Sequence, residues 1–317
     1  RMDASIYDLA RDTMQIDTIR AEMHQDSLGL LYSAQVIKNK YRQQQPFSAG
    51  LDGQIRYAFG DARLYFKDGK GETGLLLGIR ADKIQNGVKF HLFPDDPIIA
   101  FRPFKLNPDN YVVVRSMKDI EANLRLSGDN NAALWIHSQA ESDEMEEVHA
   151  ELNQIDLGVI SNAFSYIPPM KGILNADFQY APSDSAFMVV ADMNIDDLYY
   201  ENERVGELMF NAVYLPLEQG NHQVDMHLFR DRKEVSAITA LYQMGETDHI
   251  SGTVEFMHFP LDIANPFIPD DMAKMGGDLD GTLAISGQSD KPMAEGYLIL
   301  DTASVYAVSY THLTLPT

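Results

Sequence analysis

Residues 279–287, LDGTLAISG, alternate apolar or glycine positions with mostly polar or small ones. A turn-forming segment, residues 288–292, follows, and residues 296–301 then begin a second alternating run. Successive side chains on a β-strand point to opposite faces, so each run places its apolar residues on one face. The pattern predicts an antiparallel hairpin with one apolar face and one mostly polar face.

Similar runs, bounded by Gly, Pro, Asn and Asp, recur along the chain and predict further strands. They comprise residues 54–59, 62–66, 75–79, 97–101, 111–114, 120–126, 132–137, 187–195, 208–214, 224–228, 237–242 and 253–256. Helical signal is limited to residues 156–166 and 261–275, and three prolines restrict the second stretch to a short plug. Residues 141–151 are acidic and favour a solvated loop that runs into a strand at Val148, with a brief helix as the alternative.

A row of strands with one apolar face must bury that face, by stacking two sheets, by closing a barrel or by curling into a trough. An apolar interior too wide for side chains to fill needs a guest, and acyl chains suit it. We therefore expect an all-β fold, an elongated and repetitive antiparallel sheet curled into a hydrophobic groove, with short helical plugs. The alternation alone does not distinguish residues that line a groove from residues of an ordinary hydrophobic core. The predicted lining residues are Phe187, Val189, Ala191, Leu208, Phe210, Val224, Met226, Leu228, Phe256, Leu279, Leu283, Ile285, Leu298 and Leu300.

The two helical stretches belong to a possible internal repeat. Leu157 and Leu261 occupy matching positions 104 residues apart, and Leu174 and Leu279 match at 105 residues after one insertion. Both units predict a strand, a short plug, a turn and an alternating strand, which is typical of repetitive β-arrays. The repeat units would be about residues 148–252 and 253–307 onward within one continuous section, residues 1–307. Coincidence among β-sequences is the alternative explanation.

Composition narrows the classes of function. The chain has 317 residues, 45% of them hydrophobic, and a formal net charge of -22. Such acidity disfavours nucleic acid and anionic membrane surfaces, whose phosphates attract clustered Lys and Arg. The absence of Cys excludes thiol catalysis, Cys-based zinc sites and disulfides. No apolar run approaches the roughly 20 residues of a membrane-spanning helix, so we expect no direct membrane insertion by this segment.

Both ends of the sequence look cut. Residues 308–317, VSYTHLTLPT, resemble the in-frame translation of a transposase end adapter used in sequencing libraries. We therefore expect the natural sequence to end near Ala307 and residues 308–317 to be non-native, the alternative being a natural terminal strand. The first residues carry no signal-peptide pattern and already continue a patterned sequence, which suggests a fragment of a larger protein.

Candidate catalytic and metal-binding residues are few. Adjacent acidic pairs occur at residues 95–96, 196–197 and 270–271, beside Pro or Asn, as is typical of turns. Asp278 and Asp280 share the outer face of the hairpin, and the nine His are scattered. Residues 69–74, GKGETG, lack the order of a phosphate-binding loop and favour a hairpin turn. We expect no enzyme activity, no catalytic residue, no cofactor and no metal site.

The quoted hairpin also carries a family resemblance. Residues 258–263 (HFPLDI), 277–287 (GDLDGTLAISG) and 291–298 (KPMAEGYL) resemble the recurrent unit of the TamB family. These translocation and assembly module proteins of diderm bacteria belong to the AsmA-like, bridge-like lipid transfer superfamily. Residues 93–104 are similar to family members from the Bacteroides group. The resemblance covers most of residues 50–307.

The resemblance implies a β-taco groove that carries phospholipid acyl chains between the inner and outer membranes and supports outer-membrane protein assembly. It also implies a periplasmic location, an inner-membrane anchor outside this segment, and an Omp85-class partner bound through other regions. A repetitive surface or adhesin-like β-protein with a structural or interaction role is the alternative, and it predicts a closed core filled by side chains. A β-solenoid hydrolase has little support because no convergent polar site is visible.

Overall fold

The computed structural model describes residues 1–11, 14–38, 45–142, 145–164, 167–182, 187–201, 203–245, 247–268 and 273–307. The predicted non-native residues 308–317 and the acidic pair at residues 270–271 lie outside the described residues. The chain divides into two compact units. The first consists of Arg1–Ile155 and Val159–Ile167, and the second of Asp156–Gly158 and Pro168–Thr317.

The first unit is built from antiparallel strands that mostly pair with their neighbours in the chain. These strands are β1 (Met2–Arg11), β2 (Met14–Gln25), β3 (Gly29–Lys38), β4 (Phe47–Arg56), β5 (Phe59–Asp68), β6 (Thr73–Ile84), β7 (Gly87–Ile99), β8 (Arg102–Pro103), β9 (Lys105–Leu106), β10 (Tyr111–Ser116), β11 (Asp119–Ser127), β12 (Ala133–Ser142) and β13 (Met145–Asp156). The exceptions are two pairs around the short strands β8 and β9: β9 pairs with β11, and β7 pairs with β10 as well as with β8. The most buried apolar side chains of this unit include Leu124 and Leu126 of β11.

The second unit is a simple meander. Its strands are β14 (Met170–Pro182), β15 (Phe187–Tyr200), β16 (Glu203–Pro216), β17 (His222–Arg230), β18 (Lys233–Gln243), β19 (His249–Pro260), β20 (Ala273–Gln288) and β21 (Lys291–Ala307). Each strand pairs antiparallel with the next one in the chain. The quoted hairpin forms the β20–β21 pair, in which Leu283 opposes Gly296.

Two short helices interrupt the strands where the sequence predicts them. The α-helix α1 (Leu157–Ala163) follows β13, and a 3-10 helix, Leu261–Phe267, follows β19. In both regions a short helix connects two strands, and the two helices begin 104 residues apart. This correspondence matches the positions used to predict the repeat, and the repeat itself stays a prediction.

The all-β prediction is confirmed, because nearly all described residues lie in antiparallel strands. The strands are longer than predicted: β20 has 16 residues and β21 has 17. The predicted strand at Val148 is confirmed, because Val148 lies in β13. The prediction of a loop before it is wrong, because β12 extends to Ser142 and β13 begins at Met145. In that hairpin, ladder hydrogen bonds to the neighbouring strand outweigh the weak strand preference of its Glu residues.

Candidate functional site

The fourteen predicted lining residues all lie on one face of the second unit. Residues directly opposite each other on paired strands share a face, so the register carries that face from strand to strand. One row of opposed residues crosses four strands, through Ala191, Ala212, Met226 and Ile238. The register continues this face through β19, β20 and β21, and we call it the apolar face. Parity along each strand places the remaining predicted residues on it.

The apolar face is only half covered. None of the fourteen residues is fully buried, and Leu298 and Leu300 on β21 are 49% and 61% exposed. The fully buried apolar side chains among the described residues of this unit are Ala176, Val205 and Val235. The described strands of the unit form a single sheet, in which each strand pairs with the next. Apolar surface of this extent remains available to a partner.

One end of the strands carries a row of rings, the aromatic row. Its members come from the five consecutive strands β14–β18, and neighbouring ring centroids lie 5.2 to 5.9 Å apart. In order across the sheet they are Tyr180, Phe187, Tyr214, His222 and Tyr242. The antiparallel meander produces this row, because strand ends and strand starts alternate along the same edge.

The aromatic row has polar tips. The Tyr214 hydroxyl lies 2.8 Å from Nδ1 of His222, and the Tyr242 hydroxyl donates a 2.6 Å hydrogen bond to Oδ2 of Asp248. That bond raises the pKa of Tyr242 above its ordinary value and lowers the pKa of Asp248. Burial raises the pKa of Tyr180. The row therefore joins apolar ring surface to groups that hydrogen-bond.

The opposite ends of the same strands carry charges, the ion-pair row. Arg204 lies 2.9 Å from a carboxylate oxygen of Asp197 and 3.5 Å from one of Asp231. Lys274 of β20 contacts Glu203 of β16 at 3.1 Å. These cations and carboxylates neutralise one another, so this end presents charges that already have partners.

The Leu261–Phe267 helix lies at the ion-pair end. Arg230 opposes Leu208 and thus lies on the apolar face, and its guanidinium forms two hydrogen bonds with the Asp262 carboxylate. Asn265 accepts a hydrogen bond from the Met275 amide at 2.7 Å and donates one to the Met275 carbonyl at 2.8 Å. Since Asp262 and Asn265 belong to the helix, these bonds fasten the helix beside the apolar face at this end.

The outer face of the second unit is mostly polar. Asp192 opposes Asn211 and accepts a hydrogen bond from its side-chain amide, and His227 lies 2.6 Å from Glu234. Asp280 accepts a 2.8 Å hydrogen bond from the His258 amide. The two faces of the same strands therefore differ in chemistry as the alternation predicts.

The first unit carries an apolar face that the sequence analysis did not assign. Opposed residues run from β1 to β6 as a series of apolar side chains: Ile6, Ile19, Val36, Ala49, Phe66 and Leu75. Phe164, just after α1, packs its ring edge-on at 5.3 Å from the Phe66 ring. The alternation in residues 14–25, MQIDTIRAEMHQ, was a usable signal, although polar residues break it at Thr18.

The remaining candidates form no catalytic centre among the described residues. Asp96 is paired with Lys105 at 2.8 Å, and Asp197 with Arg204. Residues 69–74 lie in the hairpin between β5 and β6, where Asp68 accepts hydrogen bonds from the amides of Lys70 and Glu72. The described residues hold no group of three or more His, Asp or Glu side chains that could bind a metal ion.

The geometry defines the chain as an all-β protein built from antiparallel strands with one apolar and one polar face. No family model, curated protein or solved structure matches it. None of the described helices is both long enough and apolar enough to cross a bilayer.

Proposed function

We propose that this chain is a section of a periplasmic, TamB-type protein that carries phospholipid acyl chains between the inner and outer membranes. The observation that supports the proposal most directly is the apolar face of the second unit, which spans eight strands and is only half covered. The resemblance of residues 258–298 to the TamB repeat supports the same function. The proposal includes an inner-membrane anchor and an Omp85-class partner. The anchor, and the regions that bind the partner, would lie outside this segment.

The energetics suit transfer of lipid rather than permanent storage. Removing a methylene from water is worth about 0.8 kcal/mol, so two ~16-carbon chains gain roughly 20 kcal/mol in total on leaving water. Tails that start in a membrane are already dry, so their transfer to the apolar face has a small net free energy. Because the apolar face is half-exposed, lipid tails could reach it directly from the membrane or solvent side and leave it by the same route.

The adhesin-like alternative needs a different packing. A structural β-protein has a core filled by its own side chains at high density. In the described part of the second unit three apolar side chains are fully buried, whereas the fourteen lining residues are not. This difference favours the lipid-carrying function.

Lipid extraction tests the proposal. The purified chain, incubated with phosphatidylcholine vesicles and then separated from them, should retain phospholipid detectable by mass spectrometry. Recovery of lipid-free protein with a cooperative unfolding transition would refute the proposal, because the protein would then be folded and the face empty. A bovine serum albumin sample treated identically calibrates the extraction.

A further inference from the structure

We propose that the second unit binds phospholipid in one orientation, with a zwitterionic headgroup at the aromatic row and the acyl tails along the strands toward the ion-pair row. This inference rests on the proposed function and adds the direction and headgroup class of the ligand. It follows from the different chemistry of the two strand ends, which flank the same apolar face.

The aromatic row suits a headgroup. Tyr and His side chains combine an apolar body with a polar tip, and tyrosine concentrates at the headgroup level of membranes. The hydroxyl of Tyr214 and Nδ1 of His222 lie 2.8 Å apart and share one hydrogen bond. That bond uses the donor of one group, and the donor of the other group is left for a phosphate oxygen. Tyrosine ring faces also attract quaternary ammonium groups.

The ion-pair row disfavours the headgroup. Arg204 is shared between Asp197 and Asp231, and the guanidinium of Arg230 is held by Asp262. A phosphate could bind these cations only by displacing carboxylates that already bind them, and those carboxylates would repel it. The Leu261–Phe267 helix also occupies this end, where it limits the length of face open to a ligand.

The length of the strands matches a tail. On β17 the apolar face runs from His222 in the aromatic row to Arg230, a span of about 26 Å at ~3.3 Å per residue. One leaflet of a bilayer's hydrocarbon core is about 15 Å thick. A tail of about 15 Å that starts beside His222 therefore passes Val224 and ends near Met226, well before Arg230.

Charge selects the headgroup class. The chain carries a net charge of -22, and Asp248, hydrogen-bonded to Tyr242, adds a carboxylate at the aromatic row. A headgroup with its own ammonium group tolerates this field, whereas a purely anionic one is repelled. Phosphatidylcholine should therefore bind in preference to phosphatidylglycerol.

The natural absence of Cys makes the orientation measurable with single-Cys variants carrying a bimane fluorophore. Three positions come from β18: Ala240→Cys on the apolar face, Lys233→Cys at the ion-pair end, and Thr239→Cys on the outer face as control. The fourth is Ile250→Cys on β19, which opposes Tyr242 and so lies on the apolar face beside the aromatic row. The probes are phosphatidylcholines with a nitroxide quencher either on the headgroup or near the tail end. The aromatic row at Tyr242 and the ion-pair end at Lys233 lie about 30 Å apart along β18, beyond the reach of a contact quencher.

We expect the headgroup nitroxide to quench Ile250→Cys and spare Lys233→Cys, and the tail nitroxide to quench Ala240→Cys and spare Thr239→Cys. Tail quenching at Ala240→Cys with headgroup quenching at Lys233→Cys, or equally at both ends, would overturn the orientation and leave the proposed function standing. Absence of tail quenching at Ala240→Cys would overturn the proposed function itself. Tighter competition by unlabelled phosphatidylglycerol than by phosphatidylcholine would overturn the headgroup class.

A paired variant tests the aromatic row directly. Replacing Tyr214 and Tyr242 together by Leu keeps apolar bulk and removes the polar tips. Headgroup quenching at Ile250→Cys should then be lost while tail quenching at Ala240→Cys persists. Tyr297→Leu, on the exposed outer face of β21, is the control and should change neither signal. Unchanged headgroup quenching in the paired variant would contradict the role of the row.

Discussion

A carboxylate at the centre of the apolar face should abolish lipid binding. Val254 of β19 lies on that face between Ile238 and Leu283, whereas its neighbour Thr253 lies on the outer face between Thr239 and Ala284. Val and Thr are close to isosteric, and none of the four flanking residues is charged. Val254→Asp and Thr253→Asp therefore place the same charge on opposite faces of one strand.

The size of the effect follows from the dimensions of the sheet. A hydrated carboxylate keeps a tail away over about 4.8 Å of its length, which holds roughly five methylenes when a ~16-carbon tail spans about 15 Å. Five methylenes returned to water cost about 4 kcal/mol. Since about 1.4 kcal/mol is a factor of ten, affinity for a single-chain lipid should fall about 1,000-fold.

The measurement is a titration of delipidated protein with fluorescent lysophosphatidylcholine below its micelle concentration. Val254 is half-buried, so Val254→Asp should lower the free energy of unfolding by only about 1 kcal/mol, and chemical denaturation would verify that the variant folds. Thr253→Asp should bind like the parent. Equal losses in the two variants, or unchanged binding by folded Val254→Asp, would refute the assignment of the apolar face.

Three further changes test the framework. Gly281→Ala should lower the free energy of unfolding by at least about 2 kcal/mol, because φ is +150° and a Cβ would lie 2.2 Å from a backbone oxygen of β21. Gly60→Ala, whose Cβ would make only an ordinary 3.6 Å contact with the Gln54 carbonyl oxygen, should be close to neutral in the same denaturation series. Asn265→Ala should cost about 2 kcal/mol by removing two hydrogen bonds to β20, with faster amide exchange at the start of that strand; unchanged exchange would show that the helix is held otherwise. The hydrogen bond from His137 lowers the pKa of Glu151 below its ordinary 4.5. Its contribution to the free energy of unfolding is therefore complete above pH 4.5 and is lost as the pH falls through the lower pKa of the folded state. Glu151→Gln should flatten that part of the plot of unfolding free energy against pH, and an identical plot for the variant would contradict the reasoning.

The sequence predicted the second unit better than the first for a physical reason. Period-two alternation in residues 187–195 and 279–287 is nearly unbroken, so the face of each residue followed from counting. Because antiparallel register aligns these faces across all eight strands, fourteen residues chosen from separate runs meet on one surface. The sequence also predicted the two helical stretches, and prolines limited the second of them to a short helix.

What the sequence could not supply was the pairing of strand ends. The aromatic row joins residues as distant as Tyr180 and Tyr242, and only the register of five strands shows that they are neighbours. The fastening of the Leu261–Phe267 helix by Arg230 is equally invisible in sequence. In the first unit, charged residues within the long β1–β3 strands obscured the alternation, because exposed strand positions tolerate almost any polar residue.

The meander of the second unit also bears on how the chain folds. Every one of its eight strands pairs with the strand before or after it, so most contacts join residues that are close in sequence. Local contacts keep the loop-closure entropy of each step small and favour rapid folding. Such a sheet can grow hairpin by hairpin from its N-terminal end, without waiting for distant segments. A chain that emerges gradually from a ribosome or a translocation channel would thereby shield each new strand edge as soon as the next strand arrives.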